Sequence, residues 1–367
     1  MPPPPEVEKG FSSRQLAIAG GVLLLVIIII AVIYAALNYS SLFSLPTQSS
    51  VGGPATGRLE LTLQSIADPT DGATYSYSLT DGTKMRYRVS GDFDPYAVNY
   101  SPDGTKLAYA LFDGATNESS IYIGTATPNA QTGELDIGNA QKISQTSLPE
   151  SRDPVWSSDG TKIAYEAKYT TMDWEIPESW TIYVNDLQGN EQTVGNGYAP
   201  VFSPDGATLL FLKNDGVYLY HLTGDNAHQT EKVNLLSTAE GKVVSAHGKL
   251  ALSHDGQWLI WTDHIIGRLL VFRVSSWNPF AVAFEKGIDA SAIWSQFSPD
   301  DHYLAVEVAP HANAGPDTAS SPGTAPSPDL RVEVYSFPDL KEIRSIDFSQ
   351  YDDDFFWMTD WLQGNSS

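Results

Sequence analysis

VNYSPDGTKLAYA, residues 98–110, is the stretch that decides the predicted fold. An apolar segment leads into Ser-Pro-Asp-Gly, and a second apolar segment follows at once. The glycine supplies the positive-φ position of a tight hairpin, and the aspartate side chain hydrogen-bonds to the turn backbone. The stretch therefore predicts two antiparallel strands joined by a short turn.

The same pattern returns four more times along the chain. The copies are PVWSSDGTKIAYE (154–166), PVFSPDGATLLFL (200–212), LALSHDGQWLIWT (250–262) and SQFSPDDHYLAVE (295–307). The turn aspartates are Asp103, Asp159, Asp205, Asp255 and Asp300, with separations of 56, 46, 50 and 45 residues. In the fifth copy Asp301 replaces the glycine, a change that aspartate tolerates better than most residues. A period near fifty residues, with room for four strands in each repeat, predicts a β-propeller.

A sixth repeat is predicted from both ends of the chain. Phe356 to Asp360 is similar in residue type to Val155 to Asp159, so we predict that it forms a first strand ending at a sixth turn aspartate. Its missing strands are predicted at 58–66, 74–79 and 84–89. Closure by strands from both termini removes open sheet edges, which otherwise invite aggregation. The predicted fold class is all-β, a six-bladed propeller with five or seven blades as alternatives, preceded by one transmembrane α-helix.

Large apolar residues stand three positions before each turn aspartate. They are Tyr100, Trp156, Phe202, Leu252, Phe297 and Trp357. Their regular position predicts that they pack between adjacent blades.

The segment from Leu16 to Leu37 is predicted to cross a membrane. Its 22 residues carry no charge, and at ~1.5 Å per residue a helix of this length covers the ~30 Å hydrocarbon layer. Lys9 and Arg14 precede it and the next basic residue is Arg58, so the positive-inside rule keeps the N-terminus in the cytoplasm. The prediction is a single-pass cell-membrane protein with an extracytoplasmic ring. Its parts are a cytoplasmic tail (1–15), a helix that acts as signal anchor (16–37), a flexible tether rich in Ser, Pro and Gly (38–57), the propeller (58–361) and a short tail (362–367).

Two processing alternatives stay open for the N-terminus. A cleavable signal peptide competes with a retained anchor, because Ala35 and Ala36 are small enough for cleavage nearby. The run from Lys9 to Ser12 resembles a type IV prepilin leader, although Gln15 stands where that family usually has glutamate.

The charge of the chain excludes some partners. There are 44 Asp and Glu against 21 Lys and Arg, a formal net charge of -23, and the part after the helix carries all of it. A nucleic-acid partner is excluded because phosphate binding needs a basic surface. No cysteine is present, so disulfides, thiolate zinc sites and cysteine nucleophiles are excluded as well.

The repeated turn motif resembles the repeats of TolB-type β-propellers, which belong to the wider WD40-like group and also occur in prolyl-oligopeptidase-like peptidases. The resemblance covers roughly residues 58–361 and implies the propeller fold. It does not carry over a TolB role, because a membrane helix and tether stand where TolB proteins have an α/β domain. A peptidase role is not implied either, since the sequence has no Gly-x-Ser-x-Gly elbow.

One face of the ring is the candidate for ligand binding. In an antiparallel blade the connections between second and third strands share a face, and here they include long segments at 113–120, 169–180 and 309–330. Long loops on a rigid scaffold favour recognition. The first strands start on the same face, where a funnel mouth is predicted. The candidate ligand-binding residues are Tyr96, Arg152, Tyr198 and Asp353 at the mouth, with Trp174 and Trp180 as exposed aromatics in the loop. The alternative is that Arg152 and Asp353 are solvated or paired with each other.

No catalytic residue, metal site or cofactor is predicted. The seven histidines are spread over three repeats without a ligand spacing, and Asp352 to Asp354 lack the spaced pattern of a calcium loop. The leading hypothesis is a non-catalytic scaffold that binds protein, peptide or glycan at the cell envelope. The alternatives are an enzyme with a funnel site that acts on glycans or peptides, and an accessory subunit of an envelope complex.

Overall fold

A computed structural model describes residues 55–65, 72–89, 94–145, 148–168, 179–233, 235, 248–263, 267–289, 292–308, 331–348 and 354–362. The chain divides into two units, Met1–Gly53 and Pro54–Ser367. The predicted helix at 16–37 and most of the tether lie outside the described residues. Among the residues that are described, no helix is long and apolar enough to span a membrane.

All regular structure in the described part is β-strand. The first seven strands are β1 (Arg58–Ser65), β2 (Gly72–Ser78), β3 (Lys84–Arg88), β4 (Tyr96–Tyr100), β5 (Leu107–Asp113), β6 (Glu118–Asn129) and β7 (Glu134–Lys142). The next eight are β8 (Glu150–Trp156), β9 (Ile163–Lys168), β10 (Trp180–Asn185), β11 (Glu191–Asn196), β12 (Tyr198–Phe202), β13 (Thr208–Lys213), β14 (Gly216–His221) and β15 (Thr230–Val233). The last nine are β16 (Gly248–Leu252), β17 (Trp258–Asp263), β18 (Arg268–Trp277), β19 (Phe280–Asp289), β20 (Ala292–Phe297), β21 (Tyr303–Val308), β22 (Arg331–Ser336), β23 (Lys341–Asp347) and β24 (Asp354–Leu362).

The strands form propeller-like sheets. Four sheets have four antiparallel strands each, which are β8–β11, β12–β15, β16–β19 and β20–β23. A fifth sheet has eight strands in the order β24-β1-β2-β3-β7-β6-β5-β4. Its two antiparallel halves are joined by a short parallel pairing of Tyr87 with Leu135 and Arg88 with Asp136.

The first strands of these units contact one another in a closed circle. They run β4, β8, β12, β16, β20 and β24 in chain order, and β24 contacts β4. β24 also pairs with β1 from Arg58–Leu362 to Ser65–Asp354. Joining of the C-terminal strand to the three N-terminal strands is therefore confirmed.

The five turns confirm the hairpin prediction in detail. In the first, Ser101 Oγ donates to Asp103 Oδ1 at 2.6 Å and accepts a hydrogen bond from Lys106 N at 3.0 Å. The other four turns repeat this arrangement with Ser157, Ser203, Ser253 and Ser298. Gly104 has a φ of 68°, and Asp301 holds the same left-handed position at 57°. Each turn is closed by side chains that the motif itself supplies.

The core lies between neighbouring sheets, as predicted. Ala110 and Tyr165 of consecutive units share one buried cluster, and Leu212 and Trp261 share another. Of the residues three positions before the turn aspartates, Trp156, Phe202 and Phe297 are buried, and Tyr100 and Leu252 are half-buried. The side chain of Trp357 lies outside the described part.

Three sequence-based expectations differ from the structure. Asp360 does not close a turn, because β24 continues through it to Leu362. The segment 113–120 is not a long loop, since β5 and β6 extend into it and pair from Asp113 with Glu118 onward. The end of the predicted tether packs on the ring, because Ala55 is buried and Thr56 O accepts a hydrogen bond from Trp361 Nε1 at 3.1 Å.

Candidate functional site

Three of the predicted mouth residues lie at the starts of neighbouring first strands. Tyr96 and Tyr198 are the first residues of β4 and β12, and Arg152 lies near the start of β8. All three are half-buried. The Tyr96 hydroxyl donates to Ser151 O at 3.4 Å, so it reaches the strand that carries Arg152. Asp353 and Trp174 lie outside the described residues.

Trp180 differs from the expectation of an exposed aromatic. It is the first residue of β10 and is 1% exposed. The Arg152 guanidinium carbon lies 3.7 Å from its ring centroid, and Lys168 Nζ lies 4.5 Å away. The indole ring therefore holds two cations of the protein itself, as cation–π contacts do when water is excluded.

A β-bulge follows each of the three mouth residues. The register shifts after Tyr96, Arg152 and Tyr198. The next residues, Ala97, Asp153 and Ala199, all have φ near +50°. A bulge changes the direction in which a side chain points. Of these three bulged residues, only Asp153 in the second unit carries a charge. Sequence reasoning missed Asp153, although its signal was present: six positions before the turn aspartate, alanine stands in the neighbouring repeats and aspartate stands here.

Six charged residues form what we name the central charged cluster: Glu150, Arg152, Asp153, Glu166, Lys168 and Lys249. Lys249 Nζ lies 3.3 Å from Asp153 Oδ2, and Lys168 Nζ lies 3.0 Å from Glu150 Oε2. Arg152 Nε lies 3.4 Å from Glu166 Oε1. Asp153 is on β8 and Lys249 is on β16, with β12 between them in the circle of first strands. Their ion pair therefore crosses the inside of the circle.

Burial sets the protonation of this cluster. Glu166 is 1% exposed, and burial raises its pKa to about 8 against the opposing effect of Arg152. Burial also acts to raise the pKa of Asp153, but Lys249 and Arg152 outweigh it and hold that pKa below its ordinary value. Glu166 Oε2 has no hydrogen-bond partner among the described residues.

The remaining cations of the cluster are held by aromatic rings or burial. Lys249 Nζ lies 3.9 Å from the ring centroid of Trp294. Burial lowers the pKa of Lys168, and Glu150 opposes this shift. Within the described residues, no group of three or more histidines and carboxylates is arranged to hold a metal ion. The charges of the cluster are thus paired with one another.

These features define the described part of the chain as a β-propeller with a polar centre. More particularly, it has the fold of a TolB-type β-propeller. TolB from Acinetobacter baumannii is 16% identical, with a TM-score of 0.54, over 86% of this chain and 69% of that protein. A periplasmic gluconolactonase from Pseudomonas aeruginosa is 17% identical, with a TM-score of 0.45, over 81% of this chain and 85% of that protein. At these identities the likeness concerns the fold alone. The sequence matches no protein-family model and no curated protein sequence.

Proposed function

We propose that this protein is a membrane-anchored, extracytoplasmic binding scaffold of the cell envelope, with a six-bladed propeller as its recognition domain. Its ligand-binding surface is the mouth formed by Tyr96, Arg152 and Tyr198, and its partner is a protein or peptide. The anchor rests on the uncharged segment from Leu16 to Leu37.

Two observations support six blades. The circle of first strands has six members, and the eight-stranded sheet is made of two four-stranded antiparallel halves. In the described residues, six buried apolar clusters each join two consecutive units. One cluster between each pair of neighbours is the arrangement that a ring of six blades requires.

The internal pairing of the central charged cluster is the observation that favours binding over catalysis. The side chains of Asp153 and Glu166 are only 7% and 2% exposed. Both form ion pairs with basic side chains, Asp153 with Lys249 and Glu166 with Arg152. A catalytic carboxyl must reach its substrate within hydrogen-bond distance. Arg152, by contrast, is 23% exposed at the mouth, which suits contact with a docked partner.

An enzyme that acts on glycans is the rival, and one observation favours it. The pKa values of Asp153 and Glu166 are shifted in opposite directions, as in carboxyl pairs that divide acid and base roles. A screen with nitrophenyl glycosides tests it, with Glu166→Gln as the variant. Turnover by the wild type that Glu166→Gln abolishes would replace the binding proposal.

The binding proposal is tested by purification of the tagged full-length protein from membranes in mild detergent. We expect a partner that co-purifies with the wild type, is lost with Tyr198→Ser and is kept with the control Lys341→Ala, which changes an exposed outer-strand residue. No stable partner, or equal recovery with Tyr198→Ser, would contradict the proposal.

The anchor has its own test. Carbonate washing should leave the full-length protein in the membrane pellet. Release of the intact chain into the supernatant would overturn the anchoring part and leave the binding part standing.

A further inference from the structure

Two buried carboxyl groups lie opposite each other where the two ends of the folded chain pair. Glu60 on β1 and Asp360 on β24 are register partners in the antiparallel pairing of these strands, and both are buried. Side chains at directly opposite positions have Cβ atoms about 4.5–5.5 Å apart, and like charges there destabilise a sheet. The strand pair that closes the ring therefore holds two acids that cannot both ionise without cost.

The groups that face Glu60 come from the strands around it. Ser76 Oγ on β2 donates to Glu60 Oε1 at 2.7 Å and accepts a hydrogen bond from Arg58 Nε at 2.6 Å. Tyr87 on β3 hydrogen-bonds to the same carboxyl, and its hydroxyl lies 2.9 Å from that of Tyr100 on β4. Burial raises the pKa of Glu60 to about 8, because it outweighs the opposing effects of Arg58 and these hydrogen bonds. Glu60 thus keeps its proton near neutral pH while it is buried.

Asp360 is held by main-chain donors. Its Oδ2 accepts a hydrogen bond from Tyr100 N at 2.7 Å, and its Oδ1 accepts one from Trp361 N at 2.8 Å. Burial raises the pKa of Asp360 to about 6, and the two N–H groups and His254, in the turn between β16 and β17, oppose this shift. As the pH rises above 6, the next charge to appear between the two strands is therefore that of Glu60.

The three N-terminal strands are also held by contacts that do not involve β24. Ala97 N on β4 donates to Thr62 Oγ1 on β1 at 3.2 Å. β3 pairs in parallel with β7, and Arg88 Nε on β3 lies 3.3 Å from Glu134 Oε1 on β7. β24 can therefore separate from β1 while β1, β2 and β3 stay joined to the next unit.

We propose that the pairing of β24 with β1 is a pH-sensitive seam, which loosens as the pH rises through neutrality and releases the C-terminal strand by local unfolding. Opening exposes Glu60 to water, where its carboxyl has its ordinary pKa and releases its proton. Since the closed state keeps a proton that the open state loses, rising pH favours opening by up to about tenfold per pH unit. The effect ends above about pH 8, where Glu60 is ionised in both states.

Hydrogen exchange of the full-length protein in detergent, measured by mass spectrometry from pH 5 to 9, tests the seam. The rates are corrected for the intrinsic effect of pH and expressed as protection factors. We expect the protection of β24 to fall at least about tenfold from pH 6 to pH 8 and to change little above pH 8. β17 is the internal reference, because its Leu259, Ile260 and Trp261 are fully buried, and it should lose less protection.

Glu60→Gln removes the titrating carboxyl without changing the peptides measured on β24. In this variant the loss of protection of β24 between pH 6 and 8 should shrink to that of β17. Glu333→Gln is the matched control, because Glu333 is a buried strand carboxyl that pairs with Arg331 at 2.6 Å. The control should leave the pH dependence of β24 unchanged.

Three outcomes would overturn the proposal: equal losses of protection in β24 and β17, no loss in β24 between pH 6 and 8, or an undiminished loss in Glu60→Gln. Equal losses would assign the pH dependence to unfolding of the whole ring. The comparison of β24 with β17 is made on the wild type, so it does not depend on how a variant folds. The measurement involves no partner, so the proposed binding function stands or falls separately.

Discussion

Asp301 is the residue at which the turn motif departs from its pattern, and the structure shows what the departure provides. Its carboxylate accepts hydrogen bonds from His254 N at 2.8 Å and Asp255 N at 2.9 Å in the turn of the preceding unit. His254 Nδ1 lies 2.9 Å from the same carboxylate. A glycine would relieve the backbone but lose all three contacts between units.

We predict that Asp301→Gly destabilises the ring by about 1–2 kcal/mol, because the loss of hydrogen bonds to a charged group outweighs the relief of backbone strain at its positive φ. Urea unfolding measures this. At Gly104, whose φ is +68°, an added Cβ meets nothing within 4 Å. Gly104→Asp should therefore destabilise by about 1 kcal/mol without gaining a partner. An Asp301→Gly variant as stable as the wild type would contradict the argument.

The pair formed by His254 and Asp301 predicts that the free energy of unfolding depends on pH. The hydrogen bond to Asp301 raises the pKa of His254 above its ordinary 6.5. A group with a raised folded-state pKa contributes stability below its unfolded pKa and loses it as the pH rises through the folded value. The loss of unfolding free energy caused by Asp301→Gly should thus be larger at pH 6 than at pH 9, as measured by the same urea unfolding. A deficit that grows with pH would show that the imidazole contributes nothing.

At the scale of elements, β24 is the strand on which closure of the ring depends. It pairs with β1, and its Trp361 is 2% exposed and packs in a cluster with Leu59 and Leu61. Asp360 Oδ2 also accepts a hydrogen bond from Tyr100 N at 2.7 Å, which ties β24 to the next unit. The strand thus joins the two ends of the folded chain.

We predict that Trp361→Ala costs about 3–5 kcal/mol, the usual range for loss of a buried aromatic. The measurement is thermal or urea unfolding of the full-length protein. The control is a chain that ends after Leu362, which keeps all of β24 and should unfold like the wild type. A loss below 1 kcal/mol for Trp361→Ala would mean that the ring does not depend on this strand.

At the scale of the whole molecule, two sets of carboxyl groups have opposite effects on how stability changes with pH. Burial raises the pKa of Glu60 and Glu166 to about 8 and that of Asp360 to about 6. In the turns, the serine hydroxyl and backbone N–H groups lower the pKa of Asp103 to about 2. The first set loses stability as the pH rises from about 4.5 towards 8, because the unfolded state releases protons that the folded state keeps. The second set loses stability as the pH falls from about 4 to 2.

We therefore predict that the melting temperature is highest near pH 4–5 and declines towards pH 8. Calorimetry from pH 3 to 9 measures this profile. Glu166→Gln should flatten the decline, because a neutral amide replaces the carboxyl that must stay protonated. A melting temperature that rises between pH 5 and 8 would contradict the protonation assigned to the buried carboxyls.

Local chemistry determined the repeats from the sequence alone. Serine, aspartate and, in four of the five copies, glycine close each turn by local hydrogen bonds, so the five hairpins and the strand pattern were predictable. The joining of β24 with the N-terminal strands was predicted separately, from the similarity of Phe356 to Asp360 to an earlier first strand. Arg152, Tyr96 and Tyr198 were found by counting back from those turns. The prediction that Asp360 closes a turn was wrong, because its segment resembles the earlier repeats only in residue type and β24 continues through it to Leu362.

The tertiary structure decided what those residues contact. Lys249 contacts Asp153 from two units away, because the closed circle brings together first strands that are 96 residues apart in the chain. Trp180 is buried on β10, where its ring contacts Arg152 of the same sheet. No spacing in the sequence carries that information. The protonation of Glu166 is also a tertiary property, since it arises from burial among charges that belong to different sheets. Short-range hydrogen bonds thus determine the repeated hairpins, whereas long-range packing determines which charges meet at the mouth and which of them are protonated.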